Sequence, residues 1–305
     1  MNLFIKIQKY GWKCIAENPI FWNIFVKCSL LSAKIEMNLL FWKYSRIRYN
    51  LKVILKKIPN KNGNCHILGN GMSALSTVKY IDNEDCVVAL NTGIFFPIHI
   101  NVYMTELHNM NDANLKQGSL SLEDNINLSK KIYRYILNNN PQCLMIIKNM
   151  MRDNVSPKLY DNNNEFITLP DIVYKYFPIK NNYISFQKYI INYILNIENE
   201  IIIQTASSVI TAITLAYKAG FKNIYIHGLD GGGSHYFHER SLAETLDTDA
   251  LDILTYFKRI IPEVAADKKY ESGSHSINIL PFFIDALKEL GIKLSHAENL
   301  SKEYK

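Results

Sequence analysis

From residue 64 onward the chain alternates short apolar, β-branched runs with longer stretches of helical spacing. That is the pattern of a parallel sheet whose strands are joined by crossover helices. The runs Cys65–Leu68, Cys86–Leu90, Asn101–Met104, Cys143–Ile147, Asn223–His227 and Ile292–Ser295 read as strands, and Ser207–Lys218 and Pro281–Leu290 as helices. The expected fold class is α/β, a Rossmann-like, mostly parallel sheet with flanking helices. Residues 154–200 are rich in Asn, Tyr and Ile without a clean period, and are expected to form a lid-like insertion, the alternative being an ordinary exposed excursion. The polar run Pro59-Asn60-Lys61-Asn62-Gly63-Asn64 is a turn signal and divides a helical arm, 1–60, from a body, 61–305.

Charge sharpens that division. The 305 residues hold 34 Lys and Arg against 28 Asp and Glu, but the arm alone carries eleven basic residues and two acidic ones, so the body is net acidic. Trp12, Trp22 and Trp42, the only tryptophans, lie among those basic residues. The longest uncharged run there, 18–26, is about half of the ~20 residues that span a bilayer, and no secretory signal is visible. Helices with aromatic and basic sides suit an anionic membrane surface, at roughly 1 kcal/mol per basic group. The alternative is that they pack on the body or on a second copy of the chain, which leaves a homo-oligomer open. An acidic body without a recognition motif argues against nucleic acid. Cys14, Cys28, Cys65, Cys86 and Cys143 are scattered, with no CxxC, so a reducing cytoplasm is expected rather than a disulfide framework.

Three stretches carry chemistry. His66-Ile67-Leu68-Gly69-Asn70-Gly71-Met72-Ser73-Ala74 is a strand entering a glycine turn and a helix. Ser73 can cap that helix, and free N–H groups at its start favour a phosphate; the alternative is a tight strand-to-helix turn that holds no ligand. Gly69-x-Gly71-x-x-Ala74 fits the dinucleotide fingerprint, yet the second strand ends in Asn91 rather than an acidic residue, which speaks against NAD. The second stretch opens a helix with Ser207-Ser208 and passes through a buried strand to Gly228-Leu229-Asp230, followed by His235 and Tyr236. Groups at the carboxyl end of a parallel strand lie where open α/β sheets bind ligands. His235-x-x-His238-Glu239 has helical ligand spacing, but in the reverse of the metalloprotease order and with no third ligand. The third stretch, Gly273-Ser274-His275-Ser276-Ile277-Asn278, sets a histidine ahead of a helix, where it can exchange protons near neutral pH.

The order of these stretches resembles the bacterial sialyltransferases of glycosyltransferase family 42, over residues 64–297. The resemblance rests on Leu68 to Leu75, on Asn91, on Ser207-Ser208 followed by Lys222 to Asp230, and on Ser274 to Asn278 leading into Ile292-Lys293-Leu294. It implies a GT-A-variant, nucleotide-sugar-binding catalytic domain that uses a CMP-sialic acid donor, inverts the anomeric centre and needs no metal or other cofactor. Asn70, Gly71 and Asn91 would hold the nucleotide and its phosphate, and Ser207 or Ser208, Asp230 and Ser276 would line the donor site. Tyr236 falls where the family keeps a tyrosine on the departing phosphate, and His275 where it keeps the catalytic base. Two departures stand out. Gly231-Gly232-Gly233 replaces the region of a second phosphate tyrosine, where His235 could substitute, and Met104-Thr105-Glu106 replaces an asparagine after the third strand. The expected partners are a CMP-sugar and a glycan or glycolipid acceptor, with the arm holding the protein at the cytoplasmic face of the inner membrane. Alternatives are a transferase for another CMP-activated ulosonic acid such as Kdo, or a nucleotide-binding membrane module without turnover.

Overall fold

The computed structural model describes residues 51–106, 122–148, 167–168, 171–173, 183–204, 207–229, 246–260 and 276–300, together with scattered positions between 20 and 38. Among the described residues seven parallel strands form one sheet: β1 (Asn64–Leu68), β2 (Cys86–Leu90), β3 (Val102–Glu106), β4 (Leu144–Lys148), β5 (Ile167–Thr168), β8 (Asn223–His227) and β9 (Lys293–His296). Their order is β5-β4-β3-β2-β1-β8-β9, so the strand sequence reverses at the central strand β1. β6 (Asp171–Val173) and β7 (Ile202–Gln204) pair separately, also in parallel. The fold class is the expected one. All six expected strands are present, and β2 and β8 have the expected bounds.

Alternation along each strand sends side chains to two apolar layers. Cys65, Ile67, Val88, Val102, Met104, Ile224 and Ile226 face one layer, which is covered by α1 (Leu51–Lys57), α4 (Tyr183–Tyr189), α5 (Ser208–Lys218) and α7 (Ser276–Glu289). Leu68, Val87, Ala89, Tyr103 and Met145 face the other, covered by α2 (Ala74–Thr77), α3 (Leu122–Asn139) and α6 (Thr248–Ile260).

Three details differ from the sequence reading. Leu51 and Ile54 of α1 are buried in the first layer, so the core reaches back across the expected boundary at residue 60. Within 154–200, α4 and the wider π-type turn that continues it, Ile190–Ile194, bury Phe186, Tyr189, Ile190 and Ile194 in the same layer. These residues build the body rather than cover it. The last helix begins at Ser276, five residues before the expected start, and Pro281 lies inside it. Among the described residues no helix is long and apolar enough to cross a membrane.

Candidate functional site

The strand order reverses at β1, and the crevice at the carboxyl end of such a point is where doubly wound sheets bind ligands. β1 runs out into Gly69-Asn70-Gly71 and β8 into Gly228, and the two loops cross in direct contact. The Gly69 N–H donates to the His227 carbonyl at 2.8 Å and the Gly71 N–H to the Gly228 carbonyl at 2.9 Å. Side chains are excluded from the crossing. A Cβ on Gly69 would lie 2.6 Å from the Gly228 carbonyl oxygen. Gly228 has φ +64°, and its Cβ would lie 2.9 Å from both the nitrogen and the oxygen of Gly71.

This corrects the role expected of the glycine turn. The N–H groups of Gly69 and Gly71 are engaged by the β8 loop rather than free for an anion. Ser73 is helical, with φ −61°, and makes no capping bond, and the helix it precedes has four residues. The glycines bring two strand ends together.

Around the crossing lie the polar groups that the sequence singled out. Asn70 Oδ1 is buried and has no hydrogen-bond partner among the described residues. On the neighbouring strand, β2 stops at Asn91, whose φ of 49° is left-handed, a conformation asparagine tolerates better than most residues. Next to it Thr92 is fully buried and its Oγ1 is likewise without a partner. A buried polar atom left unpaired costs about 1–3 kcal/mol, so two at the carboxyl ends of adjacent strands mark an edge suited to a polar ligand.

The helices add to the same edge. α5 feeds the amino end of β8 through a short turn, so it runs against the strands and its start, Ser207-Ser208, points toward their carboxyl ends. Ser207 is extended, with φ −112° and ψ 126°, and its carbonyl accepts the Thr211 N–H at 3.4 Å. α7 feeds β9 in the same sense, which puts its first residue, Ser276, at that edge. Asn70, Gly71, Asn91, Ser207, Ser208 and Ser276 thus lie toward the same, carboxyl, end of the strands. Asp230, His235, Tyr236 and His275 lie outside the described residues, as do His238 and Glu239 of the alternative metal motif.

Sequence reasoning missed a polar line buried beneath the crossing. Asp85 Oδ2 lies 2.9 Å from His66 Nε2, His66 Nδ1 lies 2.8 Å from His227 Nε2, and His227 Nδ1 lies 2.9 Å from Thr77 Oγ1. The signal was present: a histidine inside each of two otherwise apolar strands, brought together only by the β1–β8 pairing.

Burial lowers the pKa of His66, against the opposing pull of Asp85, and lowers that of His227 to about 3, assisted by repulsion from His66. For Asp85 burial acts upward, but the Asn62 and Asn64 amides, the Asp82 N–H and His66 outweigh it, and the net shift is downward. These shifts give the stability of the protein a definite pH dependence. Both rings stay neutral in the fold after the unfolded chain has begun to take up protons near pH 6.5, so stability is full above that pH and falls as the pH drops through it. For His227 the loss continues toward pH 3 at about 1 kcal/mol per pH unit. Urea midpoints at pH 7.5, 6 and 5 should decline from the first step, and a profile flat down to pH 4.5 would contradict the assignment.

No protein-family model and no curated protein matches the chain. Among solved structures it is similar to the sialyltransferase CST-II in complex with CMP, at a TM-score of 0.42 and 18% identity, over 77% of this chain and 80% of that one. It is also similar to the monofunctional α-2,3-sialyltransferase Cst-I from Campylobacter jejuni, at a TM-score of 0.35 and 16% identity, over 67% and 74% of the two chains.

Proposed function

We propose that the chain is an inverting, metal-independent glycosyltransferase that moves sialic acid or a related nonulosonic acid from a CMP donor to a hydroxyl of a surface-glycan acceptor. The observation that carries this reading is the glycine crossing at the point where the strand order reverses. Because β1 and β2 pair in parallel, Asn70 and Asn91 both follow the carboxyl ends of neighbouring strands there, the end at which the family resemblance expects the nucleotide.

In this reading the acceptor hydroxyl attacks the anomeric carbon while the bond from that carbon to the phosphate oxygen of CMP breaks. The hydroxyl proton passes to His275, and the electron pair of the broken bond leaves on the phosphate, where the Tyr236 hydroxyl donates a hydrogen bond. Release of CMP from CMP-sialic acid, measured beside CMP-Kdo, tests it. Turnover of the sialyl donor supports the reading. Preference for CMP-Kdo redirects it to another ulosonic acid, and CMP binding without release from either donor rejects catalysis.

We also propose that the arm attaches the protein to an anionic membrane surface. The described residues between 20 and 38 are all helical, and Ile20, Ile24, Leu31 and Ile35 are exposed. At ~100° per residue these four fall within about 60° of one another. Leu30 packs toward the core and the Tyr193 hydroxyl donates to Asn23 Oδ1 at 2.9 Å, which puts the body-facing side about 100° round the helix from this exposed stripe. Sedimentation with vesicles containing phosphatidylserine should show Leu31→Glu weakening partition about 10- to 100-fold, from the roughly 1.5–3 kcal/mol of lost leucine burial. Leu251→Glu, on α6, should leave partition unchanged. Equal partition of Leu31→Glu and the unaltered protein would refute the attachment.

A further inference from the structure

The buried line beneath the crossing plays no part in the proposed reaction, yet its donors and acceptors can be assigned one by one. The Asn223 amide donates to Asn64 Oδ1 at 2.8 Å, which turns the Asn64 amide nitrogen toward Asp85 Oδ1 at 3.0 Å. Asn62 Oδ1 accepts the Asn64 N–H at 3.1 Å, which turns its own amide nitrogen toward the same oxygen. Asp85 Oδ2 receives the Asp82 N–H at 3.1 Å. Surrounded by donors, Asp85 is a carboxylate that only accepts.

His66 must therefore carry its proton on Nε2, and as a neutral ring it offers a lone pair at Nδ1. His227 must then donate from Nε2, which leaves its own Nδ1 as an acceptor. The group facing that nitrogen is the Thr77 hydroxyl. Its oxygen also lies 3.1 Å from the Ser73 carbonyl and 3.3 Å from that of Ala74, but it has one hydrogen, and the closer ring nitrogen needs it. The aromatic ring of Tyr225 stacks on His66 at 5.0 Å, and Asp82 is the other charged group near that ring.

We propose that Asp85, His66, His227 and Thr77 form a one-way hydrogen-bond chain that positions the glycine crossing, with Thr77 as its terminal donor. Its bearing on nucleotide binding rests on the function proposed above; its direction rests on the amides alone. The mechanical link is short. His227, whose ring the chain fixes, supplies the carbonyl that holds the Gly69 N–H, and the next residue supplies the one that holds Gly71. Thr77 closes the helix that leaves the glycine loop, so the chain pins that helix to the loop it crosses. These four are positioning residues.

Long-range ¹⁵N–¹H spectra of the full chain at pH 7.5 test the direction. His66 and His227 should each be protonated on Nε2 alone, and a proton on Nδ1 of either ring would overturn the chain as drawn. Asp85→Asn offers an amide donor to His66 and should move both ring protons to Nδ1. If that variant does not fold, the spectrum of the unaltered protein still decides. Amide hydrogen exchange tests the positioning without any ligand. Thr77→Val should speed exchange at Gly69 and Gly71 about tenfold while β4 amides keep their rates, and Thr77→Ser should restore slow exchange. Unchanged rates in Thr77→Val would end the positioning role. Calorimetry with CMP then separates the two ideas, because failure of the unaltered protein to bind CMP would remove the nucleotide reading and leave the spectra and exchange rates standing.

Discussion

Gly228→Ala will lower the stability of the protein by about 3 kcal/mol or more, and little folded material will be recovered near 37 °C. Two costs combine at this position. An alanine at φ +64° takes a left-handed conformation that costs roughly 1–2 kcal/mol. Its Cβ would also lie 2.9 Å from Gly71 backbone atoms and 3.0 Å from the Ala74 Cβ, and overpacking of that kind costs about 1–3 kcal/mol. A domain of this type is stable by only about 5–15 kcal/mol in total. Gly291 supplies the control. Its φ is +75° with no atom within 4 Å of a built Cβ, so Gly291→Ala should show the conformational cost alone, about 1 kcal/mol. Urea denaturation of the two variants side by side reads the difference directly. Equal losses would mean that the loops do not meet as described.

On the proposed reaction, His275→Ala should reduce CMP release from CMP-sialic acid in the presence of an acceptor by about 10²–10⁴-fold, the usual worth of a positioned general base. Tyr236→Phe will reduce it by roughly 10²–10³-fold, the loss of one donor to the charge developing on the phosphate. In the proposed reaction His275 meets the acceptor hydroxyl and not the nucleotide, so His275→Ala should leave CMP affinity within about threefold, whereas Tyr236→Phe loses a bond to the phosphate that CMP keeps and should lower turnover by more than it lowers CMP affinity. A His275→Ala enzyme that keeps a tenth of its turnover would reject the assigned base. A fall in CMP affinity that accounts for the whole effect would reassign the residue to binding.

The sheet was readable because its strands are buried on both faces. Val87-Val88-Ala89-Leu90 and Ile224-Tyr225-Ile226 are continuous apolar runs, and their strands extend past them by no more than one residue at either end. The helices were harder. α3 carries Ile132, Tyr133 and Ile136 at helical spacing, but its asparagines favour turns and hide the period. In 154–200 the spacing of Phe186, Ile190 and Ile194 is helical too, and the Asn and Tyr residues between them masked it.

The candidate site was legible as strand ends and no further. Asn70 and Asn91 could be placed from the alternation alone, since each follows a strand. The use of the glycine N–H groups could not, because it depends on a loop more than 150 residues away. The His66–His227 contact was hidden for the same reason, as each ring looks solitary until β1 and β8 pair.

The short outer strands bear on how the protein behaves when concentrated. A parallel sheet ends in two rims of unpaired backbone groups, and a long, flat rim recruits strands from other molecules. Here one rim is the two-residue β5, and the other is the four-residue β9, which opens on an exposed lysine whose ammonium lies 5.6 Å from the Tyr225 ring centroid. Among the described residues neither offers enough length for a foreign strand to zip onto, a feature that works against fibrous self-association.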